Sequence, residues 1–247
     1  MQIFDANVFF GFWSQRRLQA DLSSIKDVTA KHGVTRMLLC SLRGIYADFS
    51  SGNKETIEVC QKEANMIPVA TLNPHRYLGA SAEIDAMLAS GVRAFRFFPE
   101  YQHWPYNFAP FHRILQQLNG TGSLVIIPAR VGGHHNNGVI TEIADLAGRY
   151  NRINFLITGI YYGNLAEAIV VGQDSANIYF ETHLVNSPDG IEVCTAEIGA
   201  ERLVYGSQTP FNYITSSLSM VTGATISEAD QEQILSKNIM RILGVAS

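Results

Sequence analysis

The chain has 247 residues, 47% of them hydrophobic and 16% charged, and a net charge of -4. That length can bury one large core, and so slight a negative balance gives no field that would draw nucleic acid or an anionic membrane surface. Cys40, Cys60 and Cys194 are widely spaced and none sits in a Cys-x-x-Cys pair, which argues against a disulfide framework or zinc knuckle and for a reducing, cytoplasmic setting; no apolar run reaches the length of a membrane span.

Short apolar runs of strand length alternate with amphipathic helical stretches from one end of the chain to the other. The expected strands are 2–8, 35–41, 67–72, 94–98, 124–129, 154–158, 177–182 and 203–207. Most are unbroken in Val, Ile, Leu and Phe, as strands buried on both faces are. The expected helices are 14–32, 54–65, 81–90, 110–118, 139–150, 165–171, 190–198 and 227–243. The last has both end signals: Ser227 as N-cap with Asp230 three positions on, and Gly244 beyond the final turn. No linker or low-complexity segment divides the chain. Eight strand–helix pairs in one domain, residues 1–247, predict an α/β fold of the (β/α)8 TIM-barrel type, with its ligand site at the C-terminal ends of the strands. An open doubly wound sheet is the alternative, and the first strand lacks the Gly-x-Gly-x-x-Gly turn that would favour it.

Two strand ends carry a family likeness, Asp5-Ala6-Asn7-Val8-Phe9 and Tyr205-Gly206-Ser207-Gln208-Thr209-Pro210. They resemble the Asp-x-His-x-His-x-Gly and Phe-Gly-Ser-Asp-x-Pro segments of the amidohydrolase-related, metal-dependent hydrolase family. The likeness extends to Pro68-Val69-Ala70-Thr71-Leu72-Asn73-Pro74, to the segment from Gly91 to Gln102, and to the closing Asn238-Ile239-Met240-Arg241-Ile242-Leu243-Gly244. It implies a TIM barrel with a divalent metal such as zinc at its mouth. Yet the five positions that the resemblance assigns to metal ligands hold Asn7, Phe9, Pro128, Gly159 and Gln208. A phenyl ring has no lone pair to give, and an amide oxygen binds zinc weakly. The expectation is therefore a barrel without a catalytic metal.

Among the remaining candidates, Asn7 and Gln208 can recognise a ligand by hydrogen bonds or bond each other, and Phe9 can plug the vacated metal site. Arg96 and Arg130 end neighbouring strands and suit a carboxylate or phosphate; an internal salt bridge to Glu181 or Glu100 is the structural alternative. Glu181 and His183 share one face of a strand and are the catalytic candidates if acid/base chemistry survives. His134 and His135 follow Gly132-Gly133 in a loop, where adjacent imidazoles seldom share one metal. His75 stands near the mouth, while His32 and His112 fall in helical stretches. Tyr101, His103, Trp104 and Tyr106 form an aromatic loop that can line a site, serve a homo-oligomer interface or pack across a helix.

The function expected from these residues is a degenerate family member, a pseudoenzyme that binds a small polar or anionic molecule at the mouth, with no nucleic acid or membrane partner. Two alternatives stay open. One is an active hydrolase or decarboxylase with a rearranged or metal-independent site; the other is a non-catalytic scaffold or regulatory subunit.

Overall fold

The computed structural model describes residues 1–130 and 138–245. Its strands are β1 (Ile3–Trp13), β2 (Leu18–Ala20), β3 (Val34–Ser41), β4 (Met66–Thr71), β5 (Ala94–Arg96), β6 (Leu124–Pro128), β7 (Asn154–Thr158), β8 (Ile178–Glu181) and β9 (Leu203–Val204). They form one curled sheet in the order β2-β1-β3-β4-β5-β6-β7-β8-β9. Every pair from β1 onward along that order is parallel, and only β2 runs against its neighbour. The backbone beyond β9 then returns to the first strand: Ala6 N donates to Tyr205 O at 3.0 Å and Phe9 N to Thr209 O at 2.8 Å. The eight expected strands are thus all present, and they close on themselves as a TIM barrel.

Each strand splits its side chains between two cores. Leu124 and Ile126 join Leu38, Cys40, Val69, Ala94, Leu156 and Val204 in the cluster that fills the barrel, whereas Val125 and Ile127 join Phe95, Phe155, Ile157 and Phe180 against the helices. This is why the strand sequences read as continuous apolar runs. β1 breaks the rule. Its register against β3 shifts between Asp5 and Val8, so Phe4, Ala6 and Phe9 share the barrel interior while Val8 and Phe10 pack outward on Ile25 and Leu39. A bulge of this kind changes which parity faces inward, and it brings Asn7 and Phe9 to the mouth.

The helix expected at 14–32 begins later. Phe12 and Trp13 continue β1 and pair with Leu18 and Gln19 in a hairpin, turned with Arg17 at φ 51°. The helix is Leu22–Lys31, capped by Asp21, whose side chain accepts from Ser24 N. Cross-strand pairing in the hairpin outweighed the helical spacing of residues 14–20. A helix at Ile214–Thr222 had no counterpart in the expected elements. At the closing helix Ser227 accepts from Asp230 N as expected, and Gly244 takes φ 65°.

The helices Leu42–Tyr46 and Phe49–Cys60 follow β3 and touch backbone to backbone. A Cβ on Gly52 would lie 2.3 Å from Gly44 N and 2.4 Å from Gly44 Cα. Gly52→Ala is therefore expected to destabilise by about 1–3 kcal/mol, the usual range for overpacking, read as a lower urea midpoint at unchanged slope. An unchanged midpoint would show that the two turns separate freely. Among the described residues no helix is long and apolar enough to cross a membrane.

Candidate functional site at the barrel mouth

The first residue of the site is Asp5, which in the sequence stands out only as part of a motif. Its Oδ1 accepts from Asn7 N at 3.0 Å and from Ser207 N at 2.9 Å, tying the first strand to the last. Complete burial pushes its carboxyl up to about 6 against the opposing pull of those hydrogen bonds.

Asn7 stands at the centre. Its Oδ1 accepts from Arg96 Nη1 at 2.7 Å, and its Nδ2 donates to Glu181 Oε2 at 3.1 Å. A guanidinium can only donate, so the amide oxygen has to face Arg96 and the amide nitrogen has to face the carboxyl. Glu181 Oε1 accepts from His183 N at 2.9 Å, and Glu181 Oε2 is bonded by His183 Nδ1. The result is a relay, His183–Glu181–Asn7–Arg96, that crosses the barrel from β8 through β1 to β5. Gly206 makes room for it, since a Cβ there would lie 2.4 Å from Glu181 Oε1 and 2.8 Å from Asn7 Cβ.

Aromatic rings cover the relay. The Arg96 guanidinium carbon lies 4.6 Å from the Phe9 ring centre and 5.4 Å from that of Phe98. Such contacts between a cation and a ring face are favourable, more so when desolvated. Phe9 also meets Phe211 at 5.1 Å, and Phe211 meets Trp13 at 4.1 Å. Asn7 and Phe9 are each 1% exposed and Arg96 is 5% exposed. Burial pulls the Arg96 guanidinium down, while Cys40, Glu181 and Glu100 nearby favour its charge. Among the described residues Arg96 makes no direct ion pair; its link to Glu181 runs through Asn7.

The other positions that the family resemblance assigned to ligands lie apart from the relay. Gln208, at φ 59°, accepts from Asn212 Nδ2 at 2.8 Å instead of bonding Asn7. Pro128 ends β6 with its carbonyl accepting from the Tyr106 hydroxyl. Gly159 follows β7 at φ 79°. Among the described residues no group of three or more His, Cys, Asp or Glu side chains is placed to hold a metal ion. His134 and His135 lie outside the described residues.

Arg130 follows β6 and is half-buried. Among the described residues its Nε, the Nε of Arg96 and Oε2 of Glu100 are all buried without a hydrogen-bond partner. Burial pushes the Glu100 carboxyl up to about 7, in spite of the opposing pull of its own backbone N–H and of Arg96 and Arg130. Of the aromatic loop, Trp104 and Tyr106 are buried and pack on Phe111 of the helix Ala109–Leu118, so their use is packing across a helix. His103 is exposed, His75 meets the Phe108 ring at a tilt, 5.0 Å between ring centres, His32 caps the first helix and His112 bonds Tyr150 on the outer helices at 2.9 Å.

This frame has parallels among solved structures. A 2,6-dihydroxybenzoate decarboxylase from Rhizobium superposes with a TM-score of 0.77 at 14% identity, covering 99% of each chain. A putative amidohydrolase from Staphylococcus aureus gives 0.79 at 13%, covering 99% of this chain and 100% of that one. A dihydroxybenzoic acid decarboxylase from Polaromonas, with bound manganese and the inhibitor 2-nitroresorcinol, gives 0.73 at 13%, covering 98% and 97%. At these identities the likeness is one of fold. No curated protein matches the chain. The family model described as Amidohydrolase matches residues 46–245, from the end of the helix Leu42–Tyr46 through the closing helix. A match over that much of the chain places it in the amidohydrolase family.

Proposed function

We propose that this amidohydrolase-family barrel has exchanged its metal for a relay of its own side chains, and that it binds a small polar or anionic molecule at the mouth. The observation that carries the proposal is the relay. Asn7 stands where an imidazole would be needed, and both ends of its amide are spent on Arg96 and Glu181. The phenyl ring of Phe9 lies over the guanidinium, and Gln208 is turned to Asn212. A catalytic zinc site takes about three protein ligands and one open position, and these residues do not fit that set. Manganese belongs to the Polaromonas structure and is not carried over to this chain.

Binding is supported by the unspent groups that surround the relay. Buried polar atoms in native proteins nearly always have partners, so the Nε atoms of Arg96 and Arg130, which have none among the described residues, mark a place that a water or an anion would complete. Carboxylates are the first class to try, since an arginine fork matches their geometry and the Rhizobium protein is named for the carboxylate 2,6-dihydroxybenzoate.

The test is thermal shift with metal analysis on unchelated protein. Zinc and manganese are expected to leave the melting temperature unchanged, and at least one carboxylate or phosphate is expected to raise it. A ligand at one hundred times its Kd adds about 2.7 kcal/mol of stability, which amounts to several degrees for a domain of this size. One transition metal per chain held by protein side chains would overturn the metal-free half of the proposal. Silence across the whole anion panel would overturn the binding half.

The buried Glu181–His183 bond supports a second reading, metal-independent acid/base turnover. Incubation with hydroxylated benzoates, comparing wild type with His183→Gln, decides it: product formation lost in the variant is the result that reading requires.

A further inference from the structure

The geometry points to an aromatic gate over Arg96: the Phe211 ring is the gate, the hairpin that carries Trp13 is its latch, and opening admits the ligand's acid group to the guanidinium. The inference rests on the binding role proposed above and supplies its route of entry. Arg96 needs one, being 5% exposed with its Nε buried and without a partner among the described residues.

The closure is a column of rings with a cation at each end. The Arg16 guanidinium carbon lies 4.9 Å from the Trp13 ring centre, Trp13 meets Phe211 at 4.1 Å, Phe211 meets Phe9 at 5.1 Å, and Phe9 covers Arg96 at 4.6 Å. Arg16 is exposed and Phe211 half-buried, so the column runs from solvent down to the relay. Ring pairs of this kind shift an equilibrium by about twofold to tenfold each, which suits a closure that has to open.

The backbone separates the part that moves from the part that stays. Phe211 sits on a turn tied to the barrel, since Phe9 N donates to Thr209 O and Phe211 N donates to Gln208 O, both at 2.8 Å; its ring alone has to turn. Trp13 is held otherwise. Pairing of β1 with β3 ends at Phe10 and Ser41, and from Gly11 to Trp13 the strand pairs with Ala20 to Leu18 of its own hairpin. Gly11 takes φ 104° where the hairpin leaves the sheet, a conformation open to glycine and a natural hinge. From Phe12 to Gln19 every residue except Trp13 is exposed. A space of about 450 Å³, lined by Phe12, Gln19, Leu42 and Arg43, lies between the hairpin and the helix Leu42–Tyr46. The hairpin is thus anchored by one indole and has room beside it, and segments with so few buried apolar contacts open at low cost. When Trp13 lifts, Phe211 loses the ring that holds it against Phe9.

Arginine labelling with phenylglyoxal, read residue by residue by peptide mass spectrometry, tests the gate. In wild type Arg96 is expected to react slowly, at a rate that low urea leaves unchanged, because opening the latch exposes little surface. Trp13→Ala and Phe211→Ala are expected to raise that rate by about tenfold or more. Arg202, which precedes β9 at the opposite end of the barrel and packs on Tyr179, is expected to keep its rate. Arg16→Gln, at an exposed position, is expected to raise Arg96 labelling about twofold to fivefold, the range of an exposed cation–ring contact. Benzoate is expected to protect Arg96. Labelling that climbs with urea as global unfolding does, that is unmoved by all three substitutions, or that rises equally at Arg96 and Arg202 would overturn the gate. Should either alanine variant fail to fold, the urea dependence of wild type and Arg16→Gln decide. Carboxylates that raise the melting temperature without protecting Arg96 would overturn its part in binding. A gated Arg96 with no anion raising the melting temperature would remove the binding role and leave the gate standing.

Discussion

Glu181→Leu is expected to cost about 3–5 kcal/mol of folding stability, the usual penalty for breaking a buried charged arrangement by removing one side of it. The cost arises at three places. Arg96 keeps its cation in a site where it is only 5% exposed and loses the nearby acid that favours its charge. Asn7 Nδ2 and the His183 ring each lose their acceptor. Urea denaturation checks the size of the effect, and the double variant Arg96→Met/Glu181→Leu checks its cause. If the relay is the reason, the double variant is less damaged than the sum of the two single changes, because the stranded cation is gone. A loss under about 1 kcal/mol in Glu181→Leu would mean that Arg96 is balanced elsewhere, since breaking a buried pair normally costs several times that.

The second large effect is on the pH dependence of stability, and Glu100 is its clearest source. Burial raises its folded value from 4.5 to about 7, so between those pH values the native state holds a proton that the unfolded chain has released. Stability therefore falls as pH rises through that window. Each tenfold difference in proton affinity between the folded and unfolded chain corresponds to about 1.4 kcal/mol, and the full cost above pH 7 is about 3 kcal/mol. Asp5, raised from 3.8 to about 6, adds a drop of the same sign over a lower range. Glu100→Gln is expected to be more stable than wild type at pH 8 and equal to it near pH 4, with the two curves separating across the window. Parallel curves would show that the Glu100 carboxyl is solvated.

The barrel was legible in the sequence because its strands are buried on both faces. Leu124, Val125, Ile126 and Ile127 need to be apolar whichever core each one enters, so the run announces a strand without any knowledge of its partners. The closing helix was legible for a different reason: its caps are local hydrogen bonds, Ser227 to Asp230 N and the left-handed turn at Gly244. The hairpin from Gly11 to Ala20 was not legible. Its stability comes from pairing across the turn, and the same residues also satisfy a helical spacing.

That Asn7, Phe9, Pro128, Gly159 and Gln208 carry no imidazole, thiolate or carboxylate could be read from the chain alone, because it depends only on side-chain identity. Arg96, Glu181 and His183 were singled out in the same way. What these residues do to one another was settled by folding. Arg96 and Asn7 are 89 positions apart and Asn7 and Glu181 are 174 apart, and no local pattern records a contact made by closing a barrel. The register shift in β1 acts likewise, turning Phe9 inward and Val8 outward through pairing with β3.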